Sequence, residues 1–312
     1  MPESRPGITE FMADVIAVVG PTATGKSDLA VALAQRLDGE VINADSMQLY
    51  EGMDIGTAKL TVAERGGVVH HLLDVWPLAQ SAAVAQYQLL AREAIADIRR
   101  RGRTPILVGG SGLYLRGALD NLEFPGESAE IRGRLALELD ELGAAEMHAR
   151  LASVDAAAAD AILPTNARRI LRALEVIEIT GAPFLATMPA FESVYNCLQI
   201  GLDRSDLDDR VALRVDRMMS QGLLDEIRGL LPKGLRQSPT AGKALGYAQL
   251  LNCVDDQGEV TGDLTEALAI TVRATRRFVR RQRSWFRRDP RVRWLDGAAA
   301  DLTTQALRLV LP

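Results

Sequence analysis

Eight consecutive residues, Gly20, Pro21, Thr22, Ala23, Thr24, Gly25, Lys26 and Ser27, spell G-x-x-x-x-G-K-[ST]. Glycines in such a run let backbone N–H groups turn inward around phosphate oxygens. Lys26 adds a point charge, and Ser27 supplies a hydroxyl for Mg2+. A helix that starts here points its positive dipole end at the anion. The pattern says phosphate, but not which phosphate. Three uses stay open: phosphoryl transfer, nucleotide hydrolysis that drives motion, and displacement of diphosphate as a leaving group. A typical P-loop ATPase carries an Asp at the end of a buried strand to hold Mg2+. Here the run TPILVGG (104–110) ends in Gly109 and Gly110. That weakens the motor and hydrolase readings and leaves small-molecule transferases.

The second chemical group lies in NADSMQLYEGMDIGTAK (43–59). A carboxylate at Asp45, beside a phosphate loop, repels phosphate but is well placed to orient an acceptor and take its proton. The plainer reading is an Asx-turn or a helix N-cap. Ser46 and Gln48 can hydrogen-bond a base edge, or simply lie in a solvated loop. Gly56, Thr57 and Lys59 read as a further turn near the same cleft, or as surface. These residues describe a transferase whose donor carries phosphates and whose acceptor loses a proton to Asp45. A nucleoside or metabolite kinase fits them equally well.

The third feature is ITVRATRRFVRRQRSWFRRDPRVRW (270–294). At helical spacing Arg273, Arg276, Arg277, Arg280, Arg281, Arg287 and Arg288 share one face. Ile270, Ala274, Phe278 and Trp285 share another and are expected to pack on the core. On a chain of net charge -5 such a stripe is a local footprint for a polyanion such as folded RNA. Its alternative is a solvated face paired with acidic residues. Arg168, Arg169 and Arg172 form a smaller cluster. Taken alone, the basic helix also suits a non-enzymatic RNA-binding nucleotide switch.

These groups need elements to position them. DVIAVVG (14–20), EVINADS (40–46) and TPILVGG (104–110) read as buried parallel strands. SDLAVALAQRL (27–37) and VAQYQLLAREAIADIRRRG (84–102) read as helices between them. The alternation predicts an α/β fold, a P-loop parallel sheet flanked by helices. The strand ends near Gly20, Asp45 and Gly109 should open on one cleft. From Glu123 the chain turns acidic, Ala-rich and helical. Residues 165–181 form a helix with Ile170, Leu171, Leu174 and Ile177 on one face and Gly181 at its stop. NCLQIGLD (196–203) and VRWLDG (292–297) return as strands. The division expected is a disordered leader at 1–11, a P-loop core at 12–122 and 196–312, and a mostly helical insertion at 123–195. Two cysteines and three histidines without ligand spacing argue against a zinc site or a disulfide framework. No apolar run reaches the ~20 residues of a bilayer span, and the start lacks the features of a signal peptide. A cytoplasmic monomer with no membrane contact is expected.

The runs GPTATGKS, NADSMQLYEGMDIGTAK, HHLLDV, ILVGGSGLYLRGAL, NARRILRALEV, KALGYAQLL and RRQRSWFRRDPRVRWLD occur in this order over nearly the whole chain. Together they resemble the bacterial tRNA dimethylallyltransferases, or tRNA isopentenyltransferases. The resemblance implies transfer of a prenyl group from dimethylallyl diphosphate to N6 of the adenosine just 3′ of the anticodon, with Mg2+ as cofactor. The phosphate held is then a leaving group. Composition does not point to a prenyl group: Asp208–Asp209 and Asp255–Asp256 are isolated pairs, not an aspartate-rich prenyl-diphosphate motif.

By the same resemblance Asp45 accepts the amine proton, with Lys26 and Thr24 in the catalytic set. Gly20 to Ser27 hold diphosphate through the amides of residues 22–27, and Ser27 holds the metal. Asp45, Ser46, Met47, Gln48, Ser111, Arg168, Arg169, Ile170, Leu171 and Arg172 match segments that contact the tRNA anticodon stem-loop. Arg277 and Arg281 join them from the basic stripe. Arg210 and Arg214 match a paired-Arg block expected to touch phosphate. Ser111 stands where relatives commonly have Thr, which keeps a hydroxyl. Gly112 stands where several relatives carry a larger residue, which leaves the channel width open. The zinc finger of some eukaryotic relatives is absent here.

Overall fold

Five apolar residues in a row leave a strand no polar face, so Val15–Val19 (β1) belongs inside a sheet covered on both sides, and all five are buried. The computed structural model describes residues 13–184 and 189–311; the leader expected at 1–11 lies outside them. Gly39–Asn43 (β2), His70–His71 (β3), Thr104–Gly109 (β4), Cys197–Asp203 (β5) and Val292–Asp296 (β6) complete the sheet. Among the described residues the strand order is β3-β2-β4-β1-β5-β6. Every neighbouring pair is parallel, with Ile16 of β1 opposite Ile106 of β4 and Leu198 of β5.

Parallel neighbours need crossover connections, and helices supply most of them. Lys26–Arg36 (α1) and Leu302–Val310 (α11) cover one face, where Ile16, Val18, Leu29, Leu33, Ile106 and Ala306 form a core. Val84–Arg100 (α2) and Gly112–Leu119 (α3) cover the other, where Val15, Ala17, Val19, Ile95 and Leu115 are buried. Leu207–Ser220 (α7), Leu223–Leu230 (α8), Tyr247–Leu251 (α9) and Leu264–Phe286 (α10) follow β5. The expected α/β sheet is therefore present. Among the described residues no helix is long and apolar enough to cross a membrane.

The chain forms two compact units, Leu122–Glu192 and the remainder. The smaller unit holds Ala129–Val154 (α4), Ala156–Ala161 (α5) and Ala167–Thr180 (α6). Leu135, Met147, Leu151, Ile162, Ile170 and Leu174 make its own core. In the larger unit Asp120 and Ser193 form an antiparallel bridge, and Val194 N donates to Leu119 O at 2.8 Å. The point where the chain leaves that unit thus lies beside the point where it returns.

The packing face of α10 matches the expected one only at Ala274, which is buried, and Trp285, which packs on the core. Ala267, Thr271, Ala274, Val279, Gln282 and Phe286 are buried, whereas Ile270 is 38% exposed. Two of the buried positions are polar. Thr271 can be buried because its hydroxyl donates to Ala267 O at 2.9 Å, and Gln282 because its amide finds partners elsewhere in the fold. A hydropathy pattern counts such residues as outward-facing, and so it rotates the stripe.

Candidate active site

The turn out of β1 begins at Gly20, whose φ is 128°. A Cβ there would stand 2.3 Å from Leu202 O, so glycine alone lets the loop turn against β5. The loop closes at Gly25, the N-cap of α1, with φ 92°. Between them Ala23 holds φ 67°, left-handed without glycine's freedom. Thr24 is fully buried, and its hydroxyl donates to Pro21 O at 3.0 Å. Lys26 Nζ donates to the same carbonyl at 2.5 Å. Burial first, then repulsion from Arg214, push the Lys26 ammonium down to about 7, with Asp45 partly opposing.

Two arginines of α7 complete the surround. Arg210 Nε donates to Ala23 O at 2.8 Å. Arg214 Nη2 lies 3.5 Å from Thr57 O, at the edge of hydrogen-bond range. Burial lowers the Arg214 pKa, Asp45 opposes this, and Arg210 adds repulsion. Lys26 and Arg210 are thus bonded to loop carbonyls, at Pro21 and Ala23, and Arg214 stands close enough to repel Lys26, with Asp45 offsetting both. Crowded cations in a partly dry pocket are an anion site.

Asp45 follows β2 at the carboxyl end of the sheet. Its Oδ1 accepts from Met47 N at 2.9 Å, which is the Asx-turn, while Oδ2 is uncommitted among the described residues. Asn43 braces the turn: its Oδ1 accepts from Asp45 N at 2.9 Å, and its Nδ2 donates to Asp45 O at 3.0 Å. Ser111 Oγ, beyond β4, accepts from Ser46 N at 3.2 Å. Gln48 Nε2 donates to Thr57 O at 3.1 Å. The turn at 54–59 is held from two sides. The Glu226 carboxylate accepts from the amides of Asp54 (3.0 Å), Ile55 (2.6 Å) and Gly56 (3.2 Å), and from the Tyr247 hydroxyl at 2.5 Å. Lys59 pairs with Asp54 and Asp74, each at 2.6 Å. This segment anchors Gln48 and meets Arg214, instead of waving at the surface.

A phosphate loop, a facing Asp and flanking arginines on a parallel sheet narrow the comparison, and residues 48–289 match the IPP transferase family model. The chain belongs to the IPP transferase family. The tRNA dimethylallyltransferase of Streptomyces avermitilis is 64% identical over 291 residues, covering 93% of this chain and 92% of that protein. That of Thermobifida fusca is 62% identical over 306 residues, covering 96% and 95%. Among solved structures, the full-length tRNA isopentenylpyrophosphate transferase of Bacillus halodurans is 39% identical with a TM-score of 0.68, covering 95% of this chain and 96% of that one. A eukaryotic dimethylallyltransferase acting on tRNA is 25% identical with a TM-score of 0.79, covering 95% and 77%.

Other residues that the IPP transferase resemblance singled out lie in the smaller unit. Arg168 and Arg169 are exposed at the start of α6. Ile170 is fully buried in that unit's core and Leu171 packs against it. The Ile170 side chain is therefore withdrawn from any RNA surface, which corrects the expectation of contact from all five residues. A helix turns through 100° per residue, so five consecutive side chains cannot share one face. Arg172 donates to Pro125 O at 2.7 Å and Gly126 O at 3.1 Å and pairs with Glu175 at 2.8 Å.

On α10 Arg277, Arg280 and Arg281 are exposed, as is Arg288 in the turn just past its end, and the Arg281 guanidinium lies 5.6 Å from the centre of the Phe278 ring. The rest of the stripe is partly tied down. Arg273 pairs with Glu266, Arg276 donates to Asp208 O, and Arg287 pairs with Asp203.

Three contributors were not legible in the residues. A Cβ on Gly112 would stand 2.0 Å from Trp285 Nε1, so the indole fills the space a larger residue would take. Glu226 clamps the 54–56 amides. Gln282 Oε1 accepts from Thr22 N at 3.0 Å, which removes Thr22 from the expected amide set of 22–27 and leaves 23–27. No local pattern marks Gln282 or Glu226, because their partners lie 260 and about 170 residues away. Only the RRQRSWF block itself could have drawn attention to Gln282 and Trp285.

Proposed function

We propose that this chain transfers the dimethylallyl group of dimethylallyl diphosphate to N6 of the adenosine 3′ of the tRNA anticodon, releasing diphosphate. Family membership and full-length similarity to tRNA dimethylallyltransferases support the reaction. The observation that carries the site is the loop whose carbonyls at Pro21 and Ala23 hold Lys26 and Arg210, with Arg214 and Asp45 close enough to shift the Lys26 pKa. The P-loop sheet alone would also suit a kinase; the family match and the dimethylallyltransferase relatives favour prenyl transfer.

The N6 lone pair attacks the allylic C1. The C1–O bond breaks with its electron pair leaving on diphosphate, and the N6 proton passes to Asp45 through its uncommitted Oδ2. An adenine amine is a poor nucleophile, so the departing charge must be stabilised. The amides of residues 23–27, Lys26, Arg210 and Arg214 are arranged for that before substrate arrives, and such preorganisation is often the largest catalytic effect. Thr24 holds the loop from below through Pro21. Ser27, at the start of α1, offers one hydroxyl, and among the described residues no three His, Cys, Asp or Glu side chains cluster to hold a metal ion. A hydroxyl suits Mg2+, which prefers oxygen donors, and Ser27 would be the residue that holds it. When bound, Mg2+ neutralises charge on the leaving group.

The adenine must leave the anticodon-loop stack, at a cost of a few kcal/mol, and single-stranded loops are where proteins read RNA sequence. Ser46, Met47, Gln48 and Ser111 would line its entry. Arg168, Arg169, Arg277 and Arg281 would meet the stem-loop backbone, with the helical unit contacting the anticodon arm. A tRNA substrate favours a cytoplasmic location.

The test is to incubate the protein with Mg2+, total tRNA and either labelled dimethylallyl diphosphate or γ-labelled ATP. Label enters tRNA from the prenyl donor; label passing from ATP to a small molecule would instead make the chain a kinase. Asp45→Ala should keep tRNA binding and lower turnover ~10²-fold or more, the scale of a lost general base. Normal turnover would reduce Asp45 to its turn.

A further inference from the structure

Gln282 lies on the buried side of α10 and is 5% exposed. A buried primary amide must place both an acceptor and its donors. Gln282 Oε1 accepts from Thr22 N at 3.0 Å, and Nε2 donates to Gly110 O at 2.9 Å. The fit is close: a Cβ on Gly110 would stand 2.3 Å from Nε2 and 3.2 Å from Gly20 O. The side chain is thus wedged between the phosphate loop and the turn that leads from β4 to Ser111.

The next loop residue is Ala23, held left-handed at φ 67°. Gln282 fixes the amide before it, and Arg210 fixes its carbonyl at 2.8 Å. A strained backbone conformation persists when its surroundings hold it, and these two contacts grip the loop on either side of Ala23. We propose that Gln282 is a positioning residue: by taking up the Thr22 amide and tying it to Gly110, it sets the Thr22–Ala23 turn so that the later loop amides are preorganised for diphosphate. This rests on the site being a diphosphate site, as in the function proposed above.

The role demands one group that donates and accepts together. Gln282→Met keeps length and removes both bonds. Gln282→Glu keeps shape and the acceptor, loses the donor to Gly110 O, and sets a negative charge beside the anion cradle. The measurements are KM for dimethylallyl diphosphate, KM for tRNA, kcat, the dissociation constant of inorganic diphosphate by calorimetry, and the unfolding temperature, all on the full chain. In Gln282→Met the donor KM and the diphosphate constant should rise about tenfold, the scale of lost hydrogen-bonded support to a charged site. The tRNA KM should change less than about twofold, marking a loss confined to one substrate. Gln282→Glu, although closer in shape, should lose more diphosphate affinity than Gln282→Met.

Unchanged diphosphate affinity in either folded variant overturns the proposal, as does an equal rise in both KM values. Should Gln282→Met not fold, Gln282→Asn, which keeps the amide uncharged but too short to span Thr22 N and Gly110 O, decides by the same measurements. A wild-type chain that binds diphosphate but fails to prenylate tRNA would sink the reaction assignment. The calorimetric diphosphate constants would still support or overturn the role of Gln282.

Discussion

Lys26 is caught between two neighbours of opposite sign. Its pKa falls from 10.5 to about 7 because burial strips water from the ammonium and Arg214 repels it, while Asp45 offsets only part. In the empty site the unfolded chain holds the proton more tightly than the folded one does. The stability penalty is therefore full below about pH 7 and is relieved as pH rises towards 10.5. Diphosphate reverses the balance by adding anionic partners, so binding near pH 8 should draw a proton onto Lys26. Calorimetry in buffers of different ionisation enthalpy would count protons taken up, and Lys26→Met would subtract those that diphosphate takes up itself. Wild type should exceed the variant by up to about one proton, and its affinity should fall as pH rises above 7. Equal uptake would mean that Lys26 is already charged. The loop that carries Lys26 is legible in sequence because its spacing is local chemistry, a strand, a glycine turn and a helix start. Asp45 was legible as two readings; the fold spends Oδ1 on the turn and leaves Oδ2 for the base proposed above. Gln282 and Glu226 were not, since each acts on backbone amides far away in sequence.

At the scale of elements α10 presents exposed arginines on one face and buries another. Its arginine face shows as periodicity; its packing face shows only at Ala274 and Trp285, because Thr271 and Gln282 are buried polar residues that hydropathy turns outward. β3 escaped notice for a related reason, since two residues, His70–His71, carry no alternation to detect. The exposed arginines define a test of the RNA surface. Arg277 and Arg281 are exposed, with Arg281 stacked over Phe278, whereas Arg273 is already paired with Glu266. Replacing Arg277 and Arg281 by Ala should weaken tRNA binding and reduce the slope of log K against log salt by about one to two, the release of one or two counterions. Arg273→Ala should move that slope less. If the double variant keeps the wild-type slope, the helix serves packing and the RNA backbone lies elsewhere.

For the whole molecule the decisive fact is that the hydrophobic cores do not mix. Leu135, Met147, Leu151, Ile170 and Leu174 pack only among residues of the smaller unit. The cores on the two faces of the sheet draw on none of them. The phosphate loop, Asp45, Arg210, Arg214 and Gln282 all belong to the larger unit. Composition marks the Ala-rich stretch of the smaller unit, but not that Gly143, at φ 80°, interrupts its long helix. Because Asp120 and Ser193 are bridged, a few Gly and Ser residues can replace 123–192 without straining the sheet, as short flexible linkers span such gaps. The shortened chain should fold and bind inorganic diphosphate within about threefold of wild type, since distant and independent sites behave additively. It should lose transfer to tRNA, because Arg168 and Arg169 go with the deleted unit. Circular dichroism, calorimetry and the labelled-donor assay read the three outcomes separately. A folded short chain that no longer binds diphosphate would show that the phosphate site is not self-contained. One that prenylates tRNA at the full rate would move RNA recognition entirely onto the larger unit.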